Sequence, residues 1–215
     1  MQVIIGCVTA KAGMRGNFVS PQIYIFTTKT LIEYLEIDEA DESSSNDFGK
    51  NVIPNLLRNG ERLYSYKFSG YWKDVGTIGS LWESNMDLIG DKPLLDIADK
   101  SFRIFSRNFA RSPQYIGPDS KIKNSLISEG CRIFGEVENS VFSGGVIVEE
   151  GAIVKDSVIM DDVVIKSGAK VYTSIVDSDT VINENACVGI DGASKENIVV
   201  VAKGSVIEAS ATVTK

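Results

Sequence analysis

Histidine is missing from this chain altogether. That absence removes the commonest general base near neutral pH and the commonest transition-metal ligand, so Ser-His-Asp, Cys-His and imidazole-zinc mechanisms are excluded. Cysteine is scarce: Cys7, Cys131 and Cys187 lie far apart and form no CxxC spacing. Neither a disulfide framework nor a zinc site is signalled, and the three read as small buried apolar residues in a reducing compartment. Positive charge is short as well, with 22 Lys and Arg against 29 Asp and Glu for a net charge of -7. No basic stripe runs through the chain, so nucleic acid is not an expected partner. The N-terminal MQVIIGCVTAKAGMRG holds only a short apolar run with no basic residues ahead of it, far from the ~20 apolar residues that span a bilayer. Secretion and membrane insertion are therefore not expected, and a cytoplasmic location is.

What is present describes a globular chain of 215 residues, 43% of them apolar, with enough material for one large or two small cores. Residues 1–95 read as mixed α/β. Gln22 to Phe26 is β-rich, and Thr27 or Thr28 can cap a helix carrying Leu31, Ile32 and Leu35 on one face. The acidic, Ser-rich stretch from Asp38 to Asp47 reads as a solvated surface loop. Val52, Ile53, Leu56 and Leu57 predict a short helix ended by Asn59-Gly60, and Leu63 to Phe68 alternates like a strand. Thr77 then caps a helix whose Ile78, Leu81, Trp82 and Met86 share a face, placing Trp82 in a core. Residues 90–118 carry Pro and Gly punctuation with no sustained helical period, and a second part, 96–215, is expected to combine this linker with new strands.

From Ile116 the chain repeats. NSLISEGCRI, NSVFSGGVIV, DSVIMDDVVI and TSIVDSDTVI place serines at 125, 140, 157 and 174, spaced by 15, 17 and 17 residues. Three short Val/Ile-rich runs per period are the mark of a parallel β-helix, whose coils must stack because one coil cannot bury its own face. The register predicts one rung through Ile122, Val137, Val154 and Val171 and another through Leu126, Val141, Val158 and Ile175, both in the core. Small residues, Gly, Asp and Asn are expected at the corners. A β-sandwich is the alternative, and the roughly six-residue subperiod resembles left-handed hexapeptide helices.

The segments SSNDFGKNVIPNLL, FSGYWKDVGTIGSLWESNMDL and FRIFSRNFARSPQYIG, in that order and followed by hexapeptide coils, resemble glucose-1-phosphate adenylyltransferase (ADP-glucose pyrophosphorylase) over residues 20–215. The resemblance implies an α/β fragment from the end of the catalytic domain followed by a left-handed parallel β-helix. It further implies a family that makes ADP-glucose from ATP and glucose 1-phosphate with Mg²⁺ in glycogen or starch synthesis, and that uses the β-helix for assembly and regulation. Carried over by motif, Asp74 of Tyr71-Trp72-Lys73-Asp74-Val75-Gly76-Thr77 would hold the metal and the sugar-phosphate end of the substrate, and Trp72 would shape the sugar pocket. Ser20 matches a family serine that contacts glucose, although Pro21-Gln22 stands where the family usually has Met-Gly. Read from the residues alone, Asp74 is a turn cap before a helix.

Other family features have no counterpart. No GGxGxRL phosphate-cradling loop and no early metal-binding Asp occur, residues 1–19 lack the Glu-Lys-Pro sugar-phosphate segment, and residues 1–18 match nothing in the family. The resemblance thus implies a truncated chain without synthesis activity of its own. The alternative is a non-catalytic regulatory or assembly subunit, self-associating or pairing with a full-length catalytic subunit through the β-helix. A hexapeptide acyltransferase is disfavoured because those enzymes generally use a histidine base. Arg103, Arg107 and Arg111, at i, i+4 and i+8, form a candidate effector-binding cluster for phosphorylated or acidic metabolites, with solvated linker charges as the bland reading.

Overall fold

The computed structural model describes residues 3–10, 18–19, 23–105 and 110–214, with side chains from residue 23 onward except that of Lys67. Ser20 and Arg107 lie outside the described residues. The chain divides into two compact units, Met1–Trp72 and Lys73–Lys215.

In the first unit, β1 (Val3–Ala10) is the central strand. It pairs antiparallel with β2 (Phe18–Val19) and β3 (Tyr24–Ile25), and parallel with β4 (Leu63–Lys67). Between β3 and β4 come α1 (Thr28–Glu39), a π-helical turn at Phe48–Val52, and α2 (Ile53–Arg58). The small core is Tyr34, Val52 and Leu56 with Phe26, Phe48, Ile53 and Leu63 packed around it. Tyr24 stacks on Phe48 with ring centroids 5.5 Å apart. The predicted second helix, its Asn59-Gly60 ending and the β4 strand are all present, Gly60 supplying the positive φ of 73° that closes the helix.

The face of α1 differs from the expected one. Thr30, Tyr34 and Asp38 are buried, whereas Ile32 and Leu35 are 51% and 39% exposed. Tyr34 offers the largest apolar surface on the helix and carries it into the Val52–Leu56 cluster. Asp38 can be buried because Ser44 Oγ donates to its Oδ1 at 2.8 Å. The acidic loop after it is likewise bonded within itself: Ser43 Oγ donates to Asp41 Oδ1, and Asp47 Oδ1 accepts from Lys50 N.

The second unit begins with α3 (Ile78–Met86) and continues into a parallel β-helix of three sheets with five, six and six strands. Both predicted rungs are realised in register: Ile122↔Val137↔Val154↔Val171 in one sheet and Leu126↔Val141↔Val158↔Ile175 in another. Val137, Val154 and Val171 are fully buried inside the coil. The second rung faces the other way. Val158 and Ile175 belong to a separate cluster with Ile198, Leu81, Trp82 and Met86, while their neighbours Phe142, Ile159 and Val176 fill the interior. Alternate residues of a strand face opposite sides. Here both members of each pair, such as Val158-Ile159, are apolar, so the pattern alone cannot say which one points inward.

The repeated serines build the corner. Ser125, Ser140 and Ser157 each accept, through Oγ, the backbone N–H of the next serine up the stack at 3.1 to 3.2 Å. Each of the four also donates to the carbonyl two residues before it, at 2.7 to 2.8 Å. The residues preceding them, Asn124, Asn139, Asp156 and Thr173, all take positive φ between 41° and 49°, a conformation Asn and Asp tolerate best. Ser157 is fully buried. Ser157→Ala leaves the Ser174 N–H without its acceptor, so the β-helix is expected to lose about 1–3 kcal/mol in denaturant unfolding. A loss below a few tenths would remove the ladder from the account of stability. Cys131 is buried in the core with its thiol pKa pushed up by burial, and Cys187 is half-buried. No helix among the described residues is long and apolar enough to cross a membrane.

Candidate functional site

The segment from Lys73 to Asp87 forms a turn, a cap and a helix. Asp74 Oδ1 accepts from Gly76 N at 3.0 Å, an Asx turn that fixes the exposed carboxylate relative to the backbone. A Cβ on Gly76 would sit 3.2 Å from that same oxygen, so glycine gives the turn its clearance. Thr77 then closes a capping box with Ser80: Ser80 N donates to Thr77 Oγ1 and Thr77 N to Ser80 Oγ, each at 3.1 Å. The turn-cap role of Asp74 and its availability to solvent thus coexist in one residue.

The helix so started is mounted on the β-helix. Leu81, Trp82 and Met86 pack on Val158, Ile175 and Ile198, and Trp82 Nε1 donates to the Asp156 carbonyl at 2.8 Å. Ile78, expected on the same face, is exposed because it precedes the contact by a turn. Glu83 is held by Lys195 at 2.5 Å and approached by Lys73 at 3.6 Å, and Lys73 also bonds Asp87 at 2.6 Å. The bond from Lys195, ahead of the charge of Lys73, holds the Glu83 carboxyl below the usual carboxylate range. Lys195 and Ile198 sit on an insertion: Ser174 pairs with Val199, 25 residues on instead of 17. The insertion carries the short helical turn Lys195–Asn197 and borders, with the start of α3, an open cleft of about 420 Å³.

Trp72 is half-buried and is the last residue of the first unit; Asp74 lies just inside the second. Among the described residues no group of three or more His, Cys, Asp or Glu is placed to hold a metal ion. Of the three arginines, Arg103 lies over the Phe105 ring at 5.1 Å. Arg111 makes a bidentate pair with Asp162 at 2.5 and 2.8 Å and approaches Asp161 at 3.7 Å. The backbone at 103–105 and 110–114 is not helical, so the i, i+4, i+8 spacing does not place Arg103 and Arg111 on one helix face. Sequence reasoning missed the role of Gly144-Gly145: side chains there would collide with the Arg111 guanidinium, which lies across them. A glycine pair in an otherwise Val/Ile-rich coil was the available signal.

The Arg111 pair depresses the Asp162 carboxyl pKa, with the hydrogen bond from Arg111 as the main cause. A carboxylate lowered in the folded state stabilises above its unfolded value, about 3.9, and that contribution is lost as pH falls through the lower folded value. The clamp is therefore at full strength above about pH 5. A carboxyl NMR titration should place Asp162 below the ordinary Asp range in the native chain and within it in Arg111→Met.

The nucleotidyl transferase family matches residues 9–90, and the family described as GlmU-like, C-terminal hexapeptide matches residues 112–210. The first match starts at residue 9 and so takes in part of the segment for which the motifs gave no counterpart. The glucose-1-phosphate adenylyltransferase of Clostridium perfringens is 57% identical over 134 residues, 62% of this chain and 34% of that protein. Proteins of the same name from Clostridium beijerinckii and Bacillus cereus are 50% and 53% identical over 142 residues, 66% of this chain and 37% and 38% of theirs. The chain thus spans little more than a third of the length of the relatives it matches. It is a homologue of the glucose-1-phosphate adenylyltransferases, a nucleotidyl transferase segment joined to a hexapeptide β-helix.

Proposed function

We propose that this chain carries the sugar-phosphate side of a glucose-1-phosphate adenylyltransferase site. In that reaction a phosphate oxygen of glucose 1-phosphate bonds to the α-phosphorus of ATP and pyrophosphate leaves, giving ADP-glucose. The observation that carries the reading is Asp74, exposed and orientationally fixed by the Gly76 N–H, within a sequence homologous to enzymes of that name. A lone carboxylate of this kind suits Mg²⁺, which is held by one or two protein carboxylates while keeping waters and phosphate oxygens. When bound, the ion would neutralise phosphate charge; Asp74 would orient it, Trp72 would wall the sugar and Ser20 would contact it. The location proposed for this work is the cytoplasm.

The polypeptide of these 215 residues is proposed to be inactive by itself. Its sequence holds no glycine-rich phosphate loop, and catalysis of this kind depends on positioning and charge stabilisation at the phosphates. Purified chain given ATP, glucose 1-phosphate and Mg²⁺ should release no pyrophosphate above the enzyme-free rate. Release that disappears in Asp74→Asn would overturn the inactivity and support the assignment of Asp74. The second reading is an assembly or regulatory subunit acting through the β-helix, with itself or with a full-length catalytic chain. It is favoured by where the core lies: among the described residues, most of the fully buried side chains are in the coils.

A further inference from the structure

The sheet of the first unit has two unlike faces. Leu63 and Tyr24 stand on the one that the helices cover: Leu63 packs on the Tyr34–Val52–Leu56 cluster, and Tyr24 stacks on Phe48. Their strand neighbours point the other way, because successive residues of a strand alternate. Ile4 of β1 pairs with Tyr64 of β4 on one side and with Ile25 of β3 on the other, so Tyr64 and Ile25 fall in one cross-strand row. Tyr66 and Ile23 come one step further in the same direction, since β4 runs parallel to β1 and β3 antiparallel. All four side chains are exposed, Ile25 at 63% and Tyr66 at 61%, and no described residue covers them. A sheet face left to water carries polar residues as a rule, and a parallel pair such as β1–β4 is covered on both sides. This face is isoleucine and tyrosine. Among the described residues the covered side holds only Tyr34, Val52 and Leu56 as buried apolar side chains, a small core for a unit of this size.

We propose that this open face receives a second polypeptide, the remaining part of a nucleotidyl transferase domain supplied as a separate chain. The partner differs from both of those named above, and so does the surface. Two observations select this occupant. The nucleotidyl transferase family matches residues 9–90, the region that holds the face, and the match to the Clostridium perfringens relative takes in 34% of that protein, leaving most of it outside. Domains of mixed strands and helices bury such a sheet between two layers, and the layer due on this face belongs to the part that the match leaves over. The contact has a definite chemistry. A helix with an aliphatic stripe would lie on Ile23 and Ile25, while the hydroxyls of Tyr64 and Tyr66 reach polar groups at its rim. A full-length catalytic chain carries its own copy of this segment, so its covering layer is already engaged and it does not compete for the face.

Co-expression tests this. The full 215-residue chain, affinity-tagged, is produced together with the untagged sequence of the Clostridium perfringens relative that precedes the matched stretch. The two should purify as a complex of one copy each. Ile25→Glu and Tyr66→Lys, both at exposed positions and with circular dichroism unchanged, should each cut recovery of the partner at least about tenfold, because a charge of either sign would be buried unpaired. Val206→Glu, at an exposed position on the β-helix, should leave recovery within about twofold of native. No recovered partner overturns the docking face, and so does recovery that ignores Ile25→Glu and Tyr66→Lys or falls equally in Val206→Glu. Pyrophosphate release by the complex from ATP and glucose 1-phosphate tests the Asp74 reading separately. A complex that depends on the face but releases none upholds the docking and removes the assignment of Asp74; release that is lost in Asp74→Asn upholds both.

Discussion

Gly189→Ala should be among the most damaging single-methyl additions to the β-helix, costing about 3 kcal/mol. Gly189 has φ +78°, and a Cβ there would overlap the Tyr172 carbonyl oxygen and come within 2.8 Å of Ser174 Oγ. Neither neighbour can give way. The Tyr172 carbonyl accepts from Ser174 Oγ at 2.7 Å, and the Ser174 N–H is the last step of the serine ladder, given to Ser157 Oγ at 3.2 Å. Gly189 itself donates to the Val213 carbonyl at 2.9 Å, which fixes it from the other side. The control is Gly204, with φ +69° and nothing within 4 Å of its would-be Cβ. Gly204→Ala should cost only the left-handed backbone penalty, about 1 kcal/mol. Urea unfolding of the two variants separates the terms. Equal losses would mean that backbone conformation alone explains Gly189 and that the coil has room it is not credited with.

The contrast between what could be read from the sequence and what could not follows from which pattern carries the information. The coil register was legible because stacking forces equivalent residues to recur, and Val137, Val154 and Val171 stand in one rung as the spacing requires. The side on which a rung lies was not legible at Val158 and Ile175. Both residues of each strand are apolar there, one for the interior and one for α3. On α1 the same ambiguity took another form, since the aliphatic stripe Ile32–Leu35 is exposed and Tyr34 with a serine-bonded Asp38 is buried. Motif resemblance marks Asp74, but only the fold shows that its turn is closed by Gly76 N–H and that the following helix stands on the coils. The insertion that receives this helix breaks the 17-residue period, and a broken period marks a place without saying what it contacts.

Trp82→Ala tests whether that mounting is what orders the candidate site. Removing the indole takes a large side chain out of the Val158–Ile175–Ile198 cluster and strips the Asp156 carbonyl of its donor. Asp156 sits at a corner with φ 49°, a conformation that turns its backbone away from the regular ladder. Trp82 is only half-buried, so the expected cost is at the lower end for aromatic truncation, about 3 kcal/mol. The loss should be local. Amide exchange across residues 78–86 should accelerate by about two orders of magnitude, while the interior strands around Val154 and Val171, which do not touch Trp82, keep their protection. Trp82→Phe keeps most of the apolar contact and loses the N–H, so it should cost about 1 kcal/mol. The turn at Asp74 runs directly into the Thr77 capping box, and a frayed helix start releases both. A carboxyl NMR signal of Asp74 that sharpens and moves toward that of a free peptide in Trp82→Ala, but not in Trp82→Phe, is the expected sign. If α3 exchange and the Asp74 signal are unchanged in Trp82→Ala, the carboxylate is ordered by its local turn alone and the β-helix has no hold on it.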